Sequence, residues 1–349
     1  MSEAPPDRTR KQNAVRELLE SHRAESVLLT SAAAVNWYLD GARTHVSLAA
    51  DPIVAVAVDR EHDTVLITSN EHERLVLEEL PTDVNVVDRT WFEPLVYRTD
   101  LAESTVDAEL RALRAVLEPH EVERFSQLGA DAAGVLTHAL TECEPTWTER
   151  ELAAHVASGL IETGSDPLVV LVAGTERAHP HPLPTDAHLD RCAMVVVCAR
   201  RHGLIANATR SVSFGPLTAE ERDVQSRILD VEAHTFDALV PGRPLSAVLA
   251  AIADAYPACG FDAQQWRAHH QGGAAGYAGR DPRATPATAD VVQLGQAFAW
   301  NPWAGGAKVE DTILLTGAAD SPVIEPLTLD PAWPTTEVAG RLRPITLER

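Results

Sequence analysis

Four stretches carry side chains able to do chemistry at neutral pH, and each lies at the end of a β-rich run: AHPHPLPTD (Ala178–Asp186), HGLIANATRSVSFG (His202–Gly215), AHHQGGAAGYAGRDP (Ala268–Pro282) and AWNPWAGGAKVEDTILL (Ala299–Leu315). Strand ends hold groups on a rigid scaffold and leave them reachable. His181 stands between Pro180 and Pro182, so its backbone is stiff and its ring can be aimed, and an imidazole is the natural proton carrier at neutral pH. A lone His in a Pro-rich loop is otherwise a solvated loop residue. His269 and His270 are adjacent, and on a strand adjacent side chains point to opposite faces, so at most one of the two faces a pocket. Gly272, Gly273 and Gly276 let backbone approach a ligand. Gln271, Tyr277 and Arg280 add an amide, a hydroxyl and a fixed cation able to grip a carboxylate, a pocket reading preferred over that of Arg280–Asp281 as a salt-bridged surface loop. Trp300 and Trp303 bracket Asn301 and Pro302, as walls for a small ligand or as core.

Other chemistries lack their motifs. There is no GxSxG elbow, Walker A loop, HExxH pair or GxGxxG after a strand, and the Gly cluster lacks the Lys and Ser/Thr of a phosphate cradle. Cys198, inside VVVCA, reads as an inert core thiol with a raised pKa. His179 and His181 form an HxH that, with His269 or His270, makes a transition-metal set; Pro180 between them spoils the strand geometry it needs.

Charge narrows the partners. The 349 residues hold 51 Asp+Glu against 29 Lys+Arg, a formal net charge of −22, which excludes polyanion recognition: no nucleic acid and no anionic membrane. Lys11 and Lys308 are the two lysines, a bias that a GC-rich genome accounts for, and neither receives a role. With 45% hydrophobic and 23% charged residues the chain reads as soluble and folded, and its apolar runs are shorter than the ~20 residues of a membrane helix. Four cysteines without a CxxC pair, behind a start (MSEAPPDRTRK) without secretory features, make the cytoplasm the expected location.

The positioning elements follow from periodicity. Asp7–His22 reads as an amphipathic helix on Val15, Leu18 and Leu19, then SVLLT as a strand, SAAAVNWYLDG as a helix capped by Ser31 and closed by Gly41, and PIVAVAVD and TVLITS as strands. ERLVLEELP and VNVVD repeat helix then strand. From Thr99 a charged helical tract runs to Leu140, broken at Pro119, and Thr148 with Glu151 opens a further helix. VVLVAG, MVVVCARRHGLI, SVSFG, AFAWNP and DTILLTG then read as strands of an α+β domain.

In that order the clusters resemble the creatinase/aminopeptidase P family of pita-bread hydrolases. ELRALRAVLEPHEVERF is similar to the family's charged opening helix, His181 to its pHxxP element, GLIANATR to GYxxDxTR, GGAAGY to GHGxG, and Glu310-Asp311-Thr312 to the closing ED-T; NWYLDG lies in the expected extra domain. The resemblance implies an α+β fold with an N-terminal creatinase-like α/β domain (8–105), a pita-bread domain (106–335) and a C-terminal tail (336–349), assembled as a homodimer. It also implies a ligand set of two Asp, one His and two Glu around paired divalent ions. Here the first Asp falls near Cys198 with no Asp available, the second becomes Asn207, the His becomes Gly273, the first Glu becomes Asn301, and Glu310 alone is kept.

The expected function is therefore a metal-free, cofactor-free hydrolase cleaving a C–N bond in a small-molecule or short-peptide substrate. His181, at the position of creatinase's proton-transferring histidine, is the general acid/base, and Glu310 is the orienting carboxylate. Asn207, Arg210, His269, His270, Gln271, Tyr277, Arg280, Trp300 and Asn301 form the binding shell; Arg280 stands where the family often has a second His, and Arg210, in the TR pair, binds or braces. The alternatives are a catalytically inactive binding protein and an Xaa-Pro-type metallopeptidase with altered ligands.

Overall fold

Val15, Leu18 and Leu19, within about one turn of one another, are buried along one side of helix α1 (Thr9–Ser21), the first element of the computed structural model. The structure describes residues 8–349 except Ala178; Asp7, at the expected start of this helix, and Ala178, at the head of the Pro-rich cluster, lie outside the described residues. The chain forms two units, 8–115 with His202–Leu204, and Val116–Arg201 with Ile205–Arg349.

In the first unit β1 (Ser26–Leu29) leads to α2 (Ala32–Tyr38), whose N-cap Ser31 accepts a hydrogen bond from the Ala34 amide at 3.1 Å. Strands β2 (Val54–Asp59) and β3 (Asp63–Thr68) are followed by a short helix α3 (His72–Arg74) that widens into a π-helical turn, then by β4 (Asn85–Arg89), β5 (Leu101–Ala102) and α4 (Asp107–Ala115). The sheet order is β4-β3-β2-β1-β5, parallel at its two outer pairs and antiparallel within. Lys11 is buried here, its ammonium 2.7 Å from Asp40.

The second unit opens with α5 (Pro119–Glu142), where Pro119 occupies the first turn, the helical site at which a missing N–H is harmless. Capping boxes begin α5 (Glu118, Glu121), α6 (Glu149–Glu162; Thr148, Glu151) and α7 (Ala219–Asp237; Thr218, Glu221). Strands β6 (Asp166–Gly174), β7 (Cys192–Arg201) and β8 (Leu204–Ser213) precede α7 and α8 (Leu245–Ala258). β9 (Gly272–Ala275), β10 (Ala297–Trp300), the hairpin β11 (Trp303–Ala304) and β12 (Ala307–Lys308), β13 (Glu310–Ala318) and β14 (Ser321–Pro326) follow. The sheet runs β6-β7-β8-β13-β10-β9, the α+β arrangement expected. Phe298, Trp300, Ile313 and Leu315 bury one face of it against Leu249, Ile252 and Tyr256 of α8. Each such side chain contributes about 1.5–3 kcal/mol by leaving water.

Three local readings change. MVVVCARRHGLI is two strands, turned at His202 (φ 50°) and Gly203 (φ 74°), and SVSFG continues the second of them. His269 and His270 do not lie on a strand: a 3-10 turn at Gln265–Arg267 precedes them and β9 begins after them, so the alternation of faces does not apply. Finally, 336–349 holds most of the hairpin β15 (Thr335–Val338) and β16 (Arg341–Pro344), and β17 (Leu347–Glu348) pairs parallel with β8.

Candidate functional site

Glu310 begins β13 directly opposite Thr209 of β8, and its side chain is 2% exposed. One carboxylate oxygen accepts from Arg280 Nη2 at 2.6 Å; the other accepts from the Thr209 hydroxyl at 2.8 Å and lies 3.5 Å from Lys308 Nζ. Lys308 reaches this point because the β11–β12 hairpin, turned by Gly305 and Gly306 at positive φ, sets it opposite Trp303. Burial works against an ionised Glu310, but Lys308 and Arg280, with the bonds from Thr209 and Arg280, hold it at about 2. Two cations thus share one carboxylate, leaving the cluster one positive charge in excess. Lys308 Nζ and Arg280 Nε are buried without hydrogen-bond partners, as is Asn301 Oδ1.

Three imidazoles stand beside this cluster. The His181 ring lies 5.9 Å from that of His269 and is stacked at 5.5 Å on that of His270, so both adjacent histidines turn to it; His269 also meets Trp303 at 6.1 Å. Partial burial, then the nearby Lys308 charge, lowers the His181 pKa. Burial and Lys308 bring His269 to about 4, and burial with Arg280 and Arg283 brings His270 to about 3. All three are neutral at pH 7, with His269 Nε2 and His270 Nδ1 buried and unpartnered. The cluster is cationic and edged by neutral bases, with His181 exposed and His269 and His270 partly buried. A cavity of about 260 Å³ is lined by Thr209 and Lys308 together with Met194, Ser211 and Gly306, whereas the three histidines, Arg280 and Glu310 are not part of its wall.

The positions at which the resemblance places metal ligands do not fit a pair of divalent ions. Burial pushes the Cys198 thiol up to about 12, so it stays protonated and donates to Asn207 Oδ1 at 3.1 Å, while Asn207 Nδ2 donates to the Ile205 carbonyl at 3.2 Å. Gly273 offers no donor, and a Cβ there would lie 2.3 Å from the Pro282 carbonyl oxygen and 2.8 Å from the Ala284 amide. Asn301 is uncharged, and Glu310 already carries two protein cations. Hard divalent ions need several free anionic oxygens.

The remaining sequence candidates point elsewhere. Arg210 is 3% exposed and donates to Asp311 Oδ1 and the Thr328 carbonyl, both at 2.7 Å. Asp311 in turn pairs with Arg343, which grips Glu232 through two 2.6 Å bonds. This ladder braces β8 and β13 against α7 and β16. Gln271 accepts from the Tyr256 hydroxyl at 2.8 Å and donates to the Trp266 and His269 carbonyls, which fixes the histidine turn. Tyr277 donates to Glu121 of α5, and Trp300 is core. The residue that sequence reasoning passed over is Lys308; its signal was that a chain rich in arginine keeps a lysine two positions before the one retained carboxylate.

Comparison with known proteins agrees with this architecture. The prolidase from Pyrococcus horikoshii superposes with a TM-score of 0.74 at 19% identity, covering 92% of this chain and 98% of that one. Dipeptidase PepE from Mycobacterium ulcerans gives 0.74 at 19%, covering 98% of each. In sequence, the probable dipeptidase PepE of Mycobacterium tuberculosis is 26% identical over 221 residues, 59% of this chain and 58% of that protein, so the match spans under two thirds of the relative. The resemblance read from the sequence and the pita-bread fold are thus borne out. Since the model of metallopeptidase family M24 matches residues 123–317, more than half of its length, the chain belongs to that family.

Proposed function

We propose that the protein is a peptidase-type hydrolase that cleaves a C–N bond in a short peptide or small amide without the dinuclear metal centre of its family. The observation that carries this reading is the pair of buried cations, Arg280 and Lys308, on Glu310. Both side chains are buried, and fixed positive charge at a buried point acts strongly on a developing oxyanion. Neutral His181 accepts a proton from the attacking water as the water oxygen bonds to the carbonyl carbon. The carbonyl oxygen, gaining negative charge, is met by the unpartnered Lys308 Nζ and Arg280 Nε. When the tetrahedral intermediate collapses, the C–N bond breaks and the His181 imidazolium returns the proton to the leaving amine. Glu310 fixes the two cations rather than the imidazole, and Asn301 Oδ1 receives a substrate N–H.

A second reading, a metallopeptidase of the Xaa-Pro type, is favoured by the names of its relatives, a prolidase and dipeptidases. One experiment separates the two. Chelator-stripped protein is assayed on Xaa-Pro dipeptides and small amides with and without Mn²⁺. The first reading expects turnover that ignores metal and falls about 10²–10⁴-fold in His181→Ala; turnover that appears only with Mn²⁺ supports the second. Stabilisation by these compounds with no turnover in either condition overturns both and leaves a binding protein. The homodimer implied by the resemblance belongs to the proposal and is checked by light scattering.

A further inference from the structure

Helices α5 and α6 pack antiparallel, and their contact carries two histidines and a carboxylate that the pocket does not use. Gly159 of α6 faces Val135 of α5 so closely that an added Cβ would stand 2.9 Å from its Cγ1. This close approach lies one turn from His155, which it brings to the i and i+4 pair His138 and Glu142. The His138 and His155 rings are 5.6 Å apart, and Trp147 packs edge-on to His155 at 5.6 Å. Both imidazoles aim Nε2 at one oxygen, Glu142 Oε2, at 3.3 and 3.4 Å, and the three ligand atoms lie within 4.8 Å of one another.

These separations distinguish two explanations. Charge-assisted hydrogen bonds between imidazolium and carboxylate run about 2.7–2.9 Å. The contacts here are longer, and His155 Nε2 is buried without a hydrogen-bond partner. Ligands at about 2.0–2.1 Å on a tetrahedral ion are separated by about 3.3–3.4 Å, the spacing of both His–Glu edges. We propose that His138, Glu142 and His155 form a site for a zinc-class divalent transition metal, with the remaining position open to water. The two borderline imidazole donors, which outnumber the single hard carboxylate, favour Zn²⁺, Ni²⁺ or Cu²⁺ over Mg²⁺ or Ca²⁺. The site shares no residue with the Glu310 pocket and does not rest on the proposed function.

Isothermal titration of chelator-stripped protein with Zn²⁺ alone tests this. The expected result is one ion per chain. His155→Ala and the exposed Glu142→Gln should each weaken binding at least about tenfold, since direct ligands matter no less than the groups that orient them. Asn301→Ala should leave it unchanged. Co²⁺ should give tetrahedral visible absorption that His155→Ala removes. No ion bound by wild-type protein, or unaltered affinity in both His155→Ala and Glu142→Gln, overturns the site, as does loss of the ion in Asn301→Ala.

Discussion

Lys308 decides the character of the pocket at the scale of single residues. A buried carboxylate with one cation is an ordinary salt bridge; with two, its charge is over-balanced, and in the proposed mechanism the surplus acts on the substrate. Lys308→Met keeps the apolar stem and removes the ammonium, and Arg280 still neutralises Glu310. Stability should therefore fall by no more than about 3 kcal/mol, whereas Glu310→Gln strands two cations and should cost about 3–5 kcal/mol. Urea denaturation of the two variants measures the order, and the reverse order would mean that Lys308 serves the fold first. Turnover in Lys308→Met should drop about 10²–10³-fold, as for loss of one oxyanion donor. The lysine was visible as one of two in the sequence. Its burial was not, because that depends on the β11–β12 hairpin folding it over Glu310, and no local pattern encodes such a contact.

At the scale of elements, the departure from the ligand set that the resemblance implies involves the backbone as well as the side chains. β9 runs so close to 282–284 that Gly273 has no room for a Cβ, and its φ of +152° is one that other residues rarely adopt. Restoring a histidine by Gly273→His should lower the thermal midpoint, at a cost of at least about 3 kcal/mol, and should confer no Mn²⁺ binding even beside Asn207→Asp and Asn301→Glu. Mn²⁺ binding by a stable triple variant would show that the strand can move aside. Helix starts were legible because Ser31, Pro119, Thr148 and Glu151 act locally, through caps and a fixed φ. The direction of His269 and His270 was not legible. It is set by the 3-10 turn and the Gln271 amide, which hold both rings toward His181.

For the whole molecule, the net charge of −22 and the cationic pocket lead to opposite acid responses, separated by pH. Protonating surface carboxylates relieves self-repulsion, but their ordinary pKa values near 4 confine this effect to low pH. Between pH 6.5 and 5 the histidines dominate. An unfolded histidine titrates near 6.5, while His269 and His270 in the folded protein titrate at about 4 and about 3. At pH 5 the unfolded chain therefore binds about two protons more than the native one at these residues, and His181, also lowered, adds in the same direction. The stability these neutral rings provide is complete above pH 6.5 and is lost as pH falls toward their folded values; Glu310, held at about 2, loses its share below about 4.5. Urea midpoints should fall from pH 7 to 5 at constant m, with a slope that steepens from the equivalent of about half a proton at pH 7 to about two near pH 5. In His269→Gln/His270→Gln the slope should flatten, because glutamine carries no titrating group, and an unchanged slope in that variant would place the acid sensitivity outside the pocket.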